Sequence, residues 1–329
     1  MKRVNKLIAL VLTAAMITVI FAACGSGSSK KTYKLGILQL GQHEALDAAT
    51  KGFQDELIAK LGKDNVEFDL QNAGGDSTTC ATIANGFVSD GVDLIMANAT
   101  PALQACVAAT PNIPVLGTSV TDYGTALDMK DWTGKTGINV SGTSDLAPLQ
   151  QQANMIKELA PNAQTVGILY CSAEPNSKYQ ATQMEGYLSQ LGYSCKEFTC
   201  SDTNDIANVA TAACQESDVI YIPTDNTLAS CGSAINEIAS AANKAVFAGE
   251  EGICKKCGVA TLSISYYDLG KKTADMAYEI LVNGKNPGEM EIETADATTK
   301  EYIAERAAAL GLTVPEGYTA IEAAAADAE

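Results

Sequence analysis

The chain has 329 residues and a formal net charge of −17 at pH 7. So acidic a protein is repelled by nucleic acids and by anionic lipid surfaces, and neither is expected as a partner. About 280 residues remain after an N-terminal targeting region, which is enough for two domains with substantial hydrophobic cores.

The N-terminus has the pattern of a bacterial export signal. Residues 1–6 are basic, Leu7–Phe21 is almost entirely apolar, and Ala22-Ala23-Cys24 follows. This ending resembles the lipobox of bacterial lipoproteins, which predicts a signal peptide over residues 1–23 and lipidation of Cys24. An uncleaved membrane anchor is the alternative, but about 15 apolar residues are fewer than the roughly 20 that span a bilayer.

Residues 24–32 are predicted to form a flexible tether. Gly25–Lys31 contains glycine, serine and lysine and no apolar side chain, which is typical of a linker. Two acyl chains hold a protein durably on a membrane, whereas one chain binds weakly. We therefore expect the mature protein to be anchored to the outer face of the cell membrane through Cys24.

Ten cysteines are many for an exported protein. Nine remain once Cys24 is lipidated, and an odd number leaves at least one thiol unpaired within the chain. Most lie in segments that read as helix or strand, which is typical of small buried hydrophobic residues. Cys254 and Cys257 have the spacing of a redox or metal-binding pair, but no second pair or nearby histidine accompanies them. A local disulfide or two plain thiols is the interpretation that we favour.

From Tyr33 onward, apolar strands alternate with amphipathic helices. Alternating strands and helices predict an α/β fold with a parallel sheet. The predicted strands are residues 34–40, 66–70, 92–97 and 114–117, and the predicted helices are residues 45–61, 78–89 and 101–109.

The pattern then begins again, which indicates an internal repeat. Leu35–Leu38 is echoed by Val166–Leu169, and Gly91–Ile95 is echoed by Glu216–Ile220. Asn112–Gly117 is likewise echoed by residues 243–248, again about 130 positions later. Chance similarity between buried strands is the alternative, but the order and spacing of the three matches favour two copies of one unit. The sequence thus predicts two doubly wound lobes with a cleft between them.

The repeat also predicts the walls of the cleft, because ligands of open parallel sheets bind beyond the carboxyl ends of the strands. Thr100, Ser119 and Thr121 give lobe one a wall of neutral donors, and Thr100 is expected to cap a helix whose N-terminus favours an anion. Asp225 and Glu250 are the equivalent residues of lobe two and favour a cation. An anion on one wall and a cation on the other describe an α-amino acid. The alternative is that Thr100 and Asp225 only cap their helices.

Several segments of the mature chain resemble the ABC transporter substrate-binding family that includes the tryptophan- and tyrosine-type binding lipoproteins. The resemblance implies a type I periplasmic-binding-protein fold, three strands that cross between the lobes, and often an aromatic amino acid as ligand. One departure is Tyr123, which stands where the family commonly has proline. The segments are residues 35–49, 120–122, 139–143, 173–177, 222–227, 249–252 and 266–270.

The resemblance also implies boundaries. Lobe one comprises residues 33–140 and 265–288, and lobe two comprises residues 141–264 and 289–318. The crossings are expected near residues 139–142 and 263–265. We expect residues 319–329 to form a disordered acidic tail.

The family resemblance and the repeat add further ligand contacts to those already named. The loop after the first strand of lobe one contributes Gln39 and His43, and Tyr179 can stack on an aromatic ligand. A lone histidine makes no metal site, and no metal, cofactor or catalytic residue is expected. The remaining predicted contacts are Asn139, Asn176, Thr224 and Asn226.

Two other classes of function are the alternatives. An enzyme is disfavoured, because His43 has no nearby serine of the nucleophile-elbow type. The serious alternative is the same fold with a nucleoside, a sugar or another small solute as ligand. The prediction is therefore a monomeric solute-binding lipoprotein that closes around an aromatic amino acid and delivers it to the membrane permease of an ABC importer.

Overall fold

The computed structural model describes residues 31–324, which fold around two β-sheets. Strands and helices alternate along the chain, as the sequence pattern predicts. Numbered in chain order, the strands are Tyr33–Gln39 (β1), Val66–Asn72 (β2), Leu94–Asn98 (β3), Val115–Val120 (β4), Val140–Ser144 (β5), Thr165–Cys171 (β6), Ser194–Cys200 (β7), Val219–Ile222 (β8), Ala245–Ala248 (β9), Ala260–Ser263 (β10), Glu293–Thr294 (β11), Thr299–Ile303 (β12) and Thr319–Ile321 (β13).

The helices cover both faces of the sheets, so that hydrophobic core lies on both sides of each sheet. Several of the helices begin at an acidic or hydroxyl side chain that accepts a backbone N–H. The helices are Glu44–Leu61 (α1), Ser77–Asp90 (α2), Thr100–Ala109 (α3), Tyr123–Ala126 (α4), Leu149–Leu159 (α5), Pro175–Gln190 (α6), Ile206–Glu216 (α7), Asn226–Ser230 (α8), Gly232–Ala241 (α9), Glu251–Cys257 (α10), Tyr266–Leu281 (α11) and Ala304–Ala309 (α12).

The strand order of the two sheets confirms the internal repeat. The first sheet has the order β11-β5-β4-β3-β1-β2, and the second has the order β13-β12-β10-β9-β8-β6-β7. The run β4-β3-β1-β2 therefore corresponds to β9-β8-β6-β7, strand for strand. The strand pairs are parallel except for β10 with β12. The prediction of two doubly wound α/β lobes is thus correct.

Three short segments carry the chain between the lobes, and two of the expected boundaries differ from them in position. The first expected crossing, residues 139–142, is wrong in position, because β5 pairs with β4 as far as Ser144 and belongs to the first sheet. The expected return to lobe two at residue 289 also comes too early, because β11 pairs with β5. The segments between the sheets are residues 145–148, 264–265 and 295–298.

The C-terminal part of the described chain is more ordered than expected. The strand β13 pairs in parallel with β12, so that Ile321 lies opposite Ile303. Residues 319–321 are therefore the edge strand of the second sheet and not a disordered tail, because they form backbone hydrogen bonds with the otherwise free edge of β12. The predicted signal peptide, Cys24 and residues 325–329 lie outside the described residues.

The helices α1 and α11 form the closest helix contact in lobe one. A Cβ on Gly52 would lie 2.0 Å from the carbonyl oxygen of Tyr267, and a Cβ on Gly270 would lie 2.0 Å from that of Ala49. Both glycines let the two backbones touch, so α11 returns to lobe one after the second crossing and closes its core. None of the helices within residues 31–324 is long and apolar enough to span a membrane.

Candidate functional site

The two lobes touch through side chains that follow the carboxyl ends of the strands. His43, just beyond β1, places Nε2 3.1 Å from Oδ1 of Asn226, the first residue of α8. Gln180 of α6 donates through Nε2 to the hydroxyl of Thr121 over 3.4 Å. The carboxyl ends of the two sheets therefore face one another, as the repeat predicts, and this is the cleft.

Glu174 organises the lobe-two wall. It precedes α6, and its two carboxylate oxygens accept hydrogen bonds from the backbone amides and side chains of Asn226 and Thr227. It also accepts from Nδ2 of Asn176 over 3.1 Å. This buried carboxylate holds the start of α8 in place and thereby positions the side chain of Asn226 next to His43.

Asp225 and Glu250 are buried on the same wall, and both cap helices. Asp225 accepts from the amides of Leu228 and Cys171 over 2.8 and 2.7 Å. Glu250 accepts from the two amides that open α10. Burial raises the pKa of Asp225 well above its ordinary value, with Glu174 adding to the effect, and raises the pKa of Glu250 to about 7.

The lobe-one wall contains two strained backbone positions. Ala99 has φ 92° and Ser119 has φ 53°, conformations that are uncommon outside glycine and that cluster at ligand sites. Ala99 occupies the N-cap of α3, so Thr100 is the first helical residue and does not cap the helix as predicted. Thr100 is nonetheless buried at this end, where the first turn leaves amide groups without intrahelical partners.

Six buried side-chain oxygen atoms lack a hydrogen-bond partner among the described residues, and two of them belong to predicted ligand contacts on opposite walls. These two atoms are Oγ of Ser119 in lobe one and Oδ1 of Asn176 in lobe two. The amide of Asn176 is oriented by its Nδ2, which donates to the Glu174 carboxylate and to the carbonyl of Thr224. Such atoms are rare in folded proteins, and each can accept a hydrogen bond from, or donate one to, a bound group.

A further buried carboxylate, Asp145, lies on the first crossing segment. It accepts from the hydroxyl of Thr121 over 3.0 Å and from the hydroxyl of Tyr266 over 2.9 Å. Tyr266 begins α11 directly after the second crossing, so Asp145 joins two crossings and one wall. Burial raises the pKa of Asp145, against the opposing effects of the hydrogen bonds from Tyr266 and Thr121.

His43 is held in its neutral form. Burial lowers its pKa, against the opposing effects of Asn226 and Glu174. The adjacent Glu44 forms an ion pair with Lys255 of lobe two. This ion pair and the hydrogen bond between His43 and Asn226 both cross the cleft, and they start from neighbouring residues.

Two predicted residues are not available for ligand binding as expected. Gln39 is buried, and its amide bonds Gly41, Asp47 and Thr50 within lobe one. Asn139 donates to the carbonyls of Thr110 and Ile113. It therefore lies at the amino edge of the first sheet, because it precedes β5.

Tyr179 lines a groove of about 540 Å³ beside the crossing segments, together with residues such as Pro148, Tyr187 and Ala295. Its neighbour Gln180 is the residue that turns inward to the cleft. The expected stacking of Tyr179 on a ligand therefore remains a prediction.

Sequence analysis missed four residues of the cleft. Glu174 and Tyr266 stood in segments that already carried the family resemblance, so attention to buried polar positions could have found them. Asp145 and Gln180 gave no such signal, because only the fold brings them to Thr121. Within residues 31–324, no group of three or more His, Cys, Asp or Glu side chains is arranged to hold a metal ion.

Comparisons with known proteins agree with this architecture. The family model for ABC transporter substrate-binding proteins matches residues 34–324. A tyrosine-binding protein from Clostridioides difficile (strain R20291) is 37% identical over 272 residues, which cover 82% of this chain and 78% of the relative.

Two solved structures are similar along most of the chain. The ABC domain in complex with L-Trp from Streptococcus pneumoniae is 34% identical, with a TM-score of 0.84, and the match covers 88% of this chain and 100% of the other. A substrate-binding protein with adhesive properties from Clostridium difficile, in a ligand-free, open structure, is 36% identical with a TM-score of 0.69. That match covers 89% of this chain and 100% of the other. The expected type I periplasmic-binding-protein-like fold is thereby confirmed.

Proposed function

Because this chain belongs to the family of ABC transporter substrate-binding proteins, we propose that it binds an α-amino acid with an aromatic side chain and delivers it to the permease of an ABC importer. The observation that carries the ligand class is the pair of unpartnered buried atoms, Oγ of Ser119 and Oδ1 of Asn176. A hydroxyl on one wall can donate, and an amide oxygen on the other can only accept.

That polarity matches the two charged groups of an amino acid. The ligand carboxylate would bind the Ser119 hydroxyl and the N-terminus of α3, where the helix dipole favours an anion. The ligand ammonium would donate to Oδ1 of Asn176. It would lie on the acidic lobe-two wall, where Asp225 is buried with only neutral donors. A bound cation would stabilise the ionised form of Asp225, which burial alone disfavours.

An aromatic side chain is proposed from the relatives. The tyrosine-binding protein is 37% identical to this chain, and the structure with L-Trp is 34% identical. An ammonium site on an acidic wall also suits a cationic nucleoside or an amine, and the same fold binds sugars in other proteins. These solutes are therefore the alternatives that a ligand screen must include.

The test is a thermal-shift screen of the purified protein against the twenty amino acids, common nucleosides and sugars, followed by calorimetry. We expect L-tyrosine or L-tryptophan to raise the melting temperature most. Ser119→Ala should weaken binding of that ligand at least about tenfold, because one hydrogen bond to a charged group contributes about 1.5–3 kcal/mol. The control is Ser89→Ala, whose exposed hydroxyl lies on α2. A response to sugars alone would contradict the proposal.

The membrane anchor and the transport role need experiments in cells. We propose that Cys24 is diacylated after removal of residues 1–23. Cys24→Ser should then release the protein from the membrane fraction, and mass spectrometry should find no lipid on it. Deletion of the protein should abolish high-affinity uptake of the ligand. Unchanged uptake in the deletion strain would contradict delivery to an importer.

A further inference from the structure

Two buried thiols lie side by side at the rim of the lobe-two wall. Cys171 is the last residue of β6 and Cys200 is the last residue of β7, and the two are paired in register. Each side chain is only 1% exposed. Residues paired in register on neighbouring strands point to the same face of the sheet, so both thiols lie on one side.

Each sulfur atom reaches across to the other strand. Sγ of Cys171 lies 3.6 Å from the carbonyl oxygen of Ser201, directly after β7, and Sγ of Cys200 lies 3.7 Å from that of Tyr170 in β6. The two sulfurs therefore share the gap between the strands. Neighbouring strands lie about 4.7–4.9 Å apart, which is within the roughly 4.4–6.8 Å between Cα atoms that a disulfide spans.

The surroundings of Cys171 favour the thiolate. A hydrogen bond from Cys200 is the largest of the effects that lower the pKa of Cys171 to about 6, and Thr227 contributes as well. Burial instead raises the pKa of Cys80 and Cys195 to about 11. The thiolate is the nucleophile in thiol oxidation. Cys171 is therefore the thiol that should react first with an oxidant.

We propose that Cys171 and Cys200 form a redox-active dithiol that a hydroperoxide converts into an intrachain disulfide. The Cys171 thiolate attacks a peroxide oxygen and the O–O bond breaks, so that hydrogen peroxide leaves a sulfenic acid and a hydroxide, which takes up a proton from solvent and becomes water. The Cys200 sulfur then attacks the Cys171 sulfur, the S–O bond breaks, and its proton leaves with the hydroxyl as a second water. The two thiols lose two electrons in total, and the peroxide gains them.

The position of this pair couples it to the cleft. The amide of Cys171 donates to Oδ2 of Asp225, whose Oδ1 caps α8 through Leu228. The same helix presents Asn226 to His43 across the cleft. A disulfide that shifts the end of β6 therefore shifts the wall that holds the ligand. This second part rests on the proposed function, and it predicts that oxidation changes ligand affinity reversibly.

The test of the disulfide uses the purified, fully reduced protein and hydrogen peroxide. After alkylation of the remaining thiols and digestion with trypsin, we expect a link between the peptides of residues 158–178 and 197–244, with the loss of two hydrogens, and its disappearance on reduction. Fragmentation must place the link at Cys171 and Cys200. Cys214→Ser should keep it, whereas Cys200→Ser should lose it and accumulate a Cys171 sulfenic acid that dimedone traps.

Alkylation of both Cys171 and Cys200 after peroxide treatment would overturn the proposal, and so would a link through Cys214 or Cys231. The coupling is tested by calorimetry with L-tyrosine and L-tryptophan on reduced, oxidised and re-reduced protein. We expect at least a threefold change in Kd that reduction reverses and that Cys200→Ser lacks. Equal affinities of the reduced and oxidised forms would contradict the coupling alone. A reduced protein that binds neither amino acid would contradict the proposed function and leave the disulfide result standing.

Discussion

Two single carboxylates in this protein have two tasks, because the groups that we propose to face the ligand also hold the wall together. Asp225 accepts two backbone amides while it lies buried at the cleft, and Glu250 does the same at the start of α10. A substitution at either residue therefore acts on folding and on binding together. The effect on folding can be separated from the effect on binding with variants that keep the shape of the side chain. The controls are residues outside the cleft that accept the same kind of backbone hydrogen bonds.

Asp225→Asn is expected to weaken amino acid binding at least tenfold, about 1.4 kcal/mol, because the charge that favours the ammonium is removed. It should also lower the free energy of unfolding by about 1–2 kcal/mol, since an amide N–H₂ cannot accept from Cys171. Asp218→Asn is the matched control. Asp218 also accepts two backbone amides, but it lies at the amino edge of the same sheet. Wild-type affinity in Asp225→Asn, measured by calorimetry, would refute the ammonium assignment.

The raised pKa of Glu250 predicts a pH dependence of stability. Its carboxyl titrates near 7 in the folded protein and near 4.5 when unperturbed, so the folded state keeps a proton that the unfolded state releases. The resulting stabilisation is complete below pH 4.5 and is lost as the pH rises through 7. Between pH 5 and pH 8, we expect Glu250→Gln to gain up to about 3 kcal/mol relative to the wild type.

Urea denaturation at several pH values measures this difference. The exposed Glu237, changed to Gln, is the control and should show no such trend. A constant difference between Glu250→Gln and the wild type from pH 5 to pH 8 would show that Glu250 is ionised throughout.

At the scale of secondary-structure elements, the contact between α1 and α11 is decisive for lobe one. The helix α11 arrives from lobe two, so its packing on α1 determines where the second crossing ends. Gly52 and Gly270 make this contact possible, because a methyl group at either position would meet backbone carbonyl oxygen at 2.0 Å. The backbone of a helix cannot move aside as a flexible side chain can. An added methyl group at Gly52 or Gly270 would therefore push α1 and α11 apart.

Gly270→Ala is expected to destabilise the protein by about 1–3 kcal/mol, even though alanine favours helices. Gly86→Ala is the matched control, since this glycine lies in the exposed part of α2 and a Cβ there meets nothing within 4 Å. That variant should gain about 0.5–1 kcal/mol. Chemical denaturation measures both, and a stabilised Gly270→Ala would contradict the close packing.

At the scale of the whole molecule, the structure has its lobes in contact. The chain is more similar to the complex with L-Trp, with a TM-score of 0.84, than to the ligand-free, open structure, with a TM-score of 0.69. The sequence identities are nearly equal, at 34% and 36%, so sequence divergence does not account for the difference. We infer that this arrangement is the closed one, in which a ligand would contact both walls.

The contacts across the cleft should differ in their effect on closure. His43→Ala removes the hydrogen bond with Asn226 in a partly buried place, and it should raise the Kd several-fold, by about 1 kcal/mol. Glu44→Gln removes the ion pair with Lys255, which is solvent-exposed, and should change the Kd at most about fivefold, by 0–1 kcal/mol. Calorimetry measures the Kd of both variants. A larger increase in Kd for Glu44→Gln than for His43→Ala would contradict this ranking of the two contacts. X-ray scattering should show a smaller radius of gyration once ligand is added.

Much of the fold could be predicted from the sequence, and less of the site. The repeat of Leu35–Leu38 in Val166–Leu169 predicted two equivalent sheets, because buried strands are apolar wherever they lie. The prediction for Asn139 was wrong, since a residue at the amino end of a strand lies opposite the cleft. Gln39 lies at the correct edge, but its neighbours satisfy its amide. Composition and spacing do not reveal which polar side chains remain unsatisfied.

The sequence by itself determined the alternation of strands and helices, the duplication, and which edges of the two sheets face each other across the cleft. These follow from local patterns of apolar and polar residues, which act over a few positions. Only the tertiary structure decided that Asp145 and Gln180 meet at Thr121, and that Ser119 and Asn176 keep one buried atom each without a partner. Such facts depend on segments far apart in the chain, because a polar group is satisfied by whatever the folded backbone brings beside it.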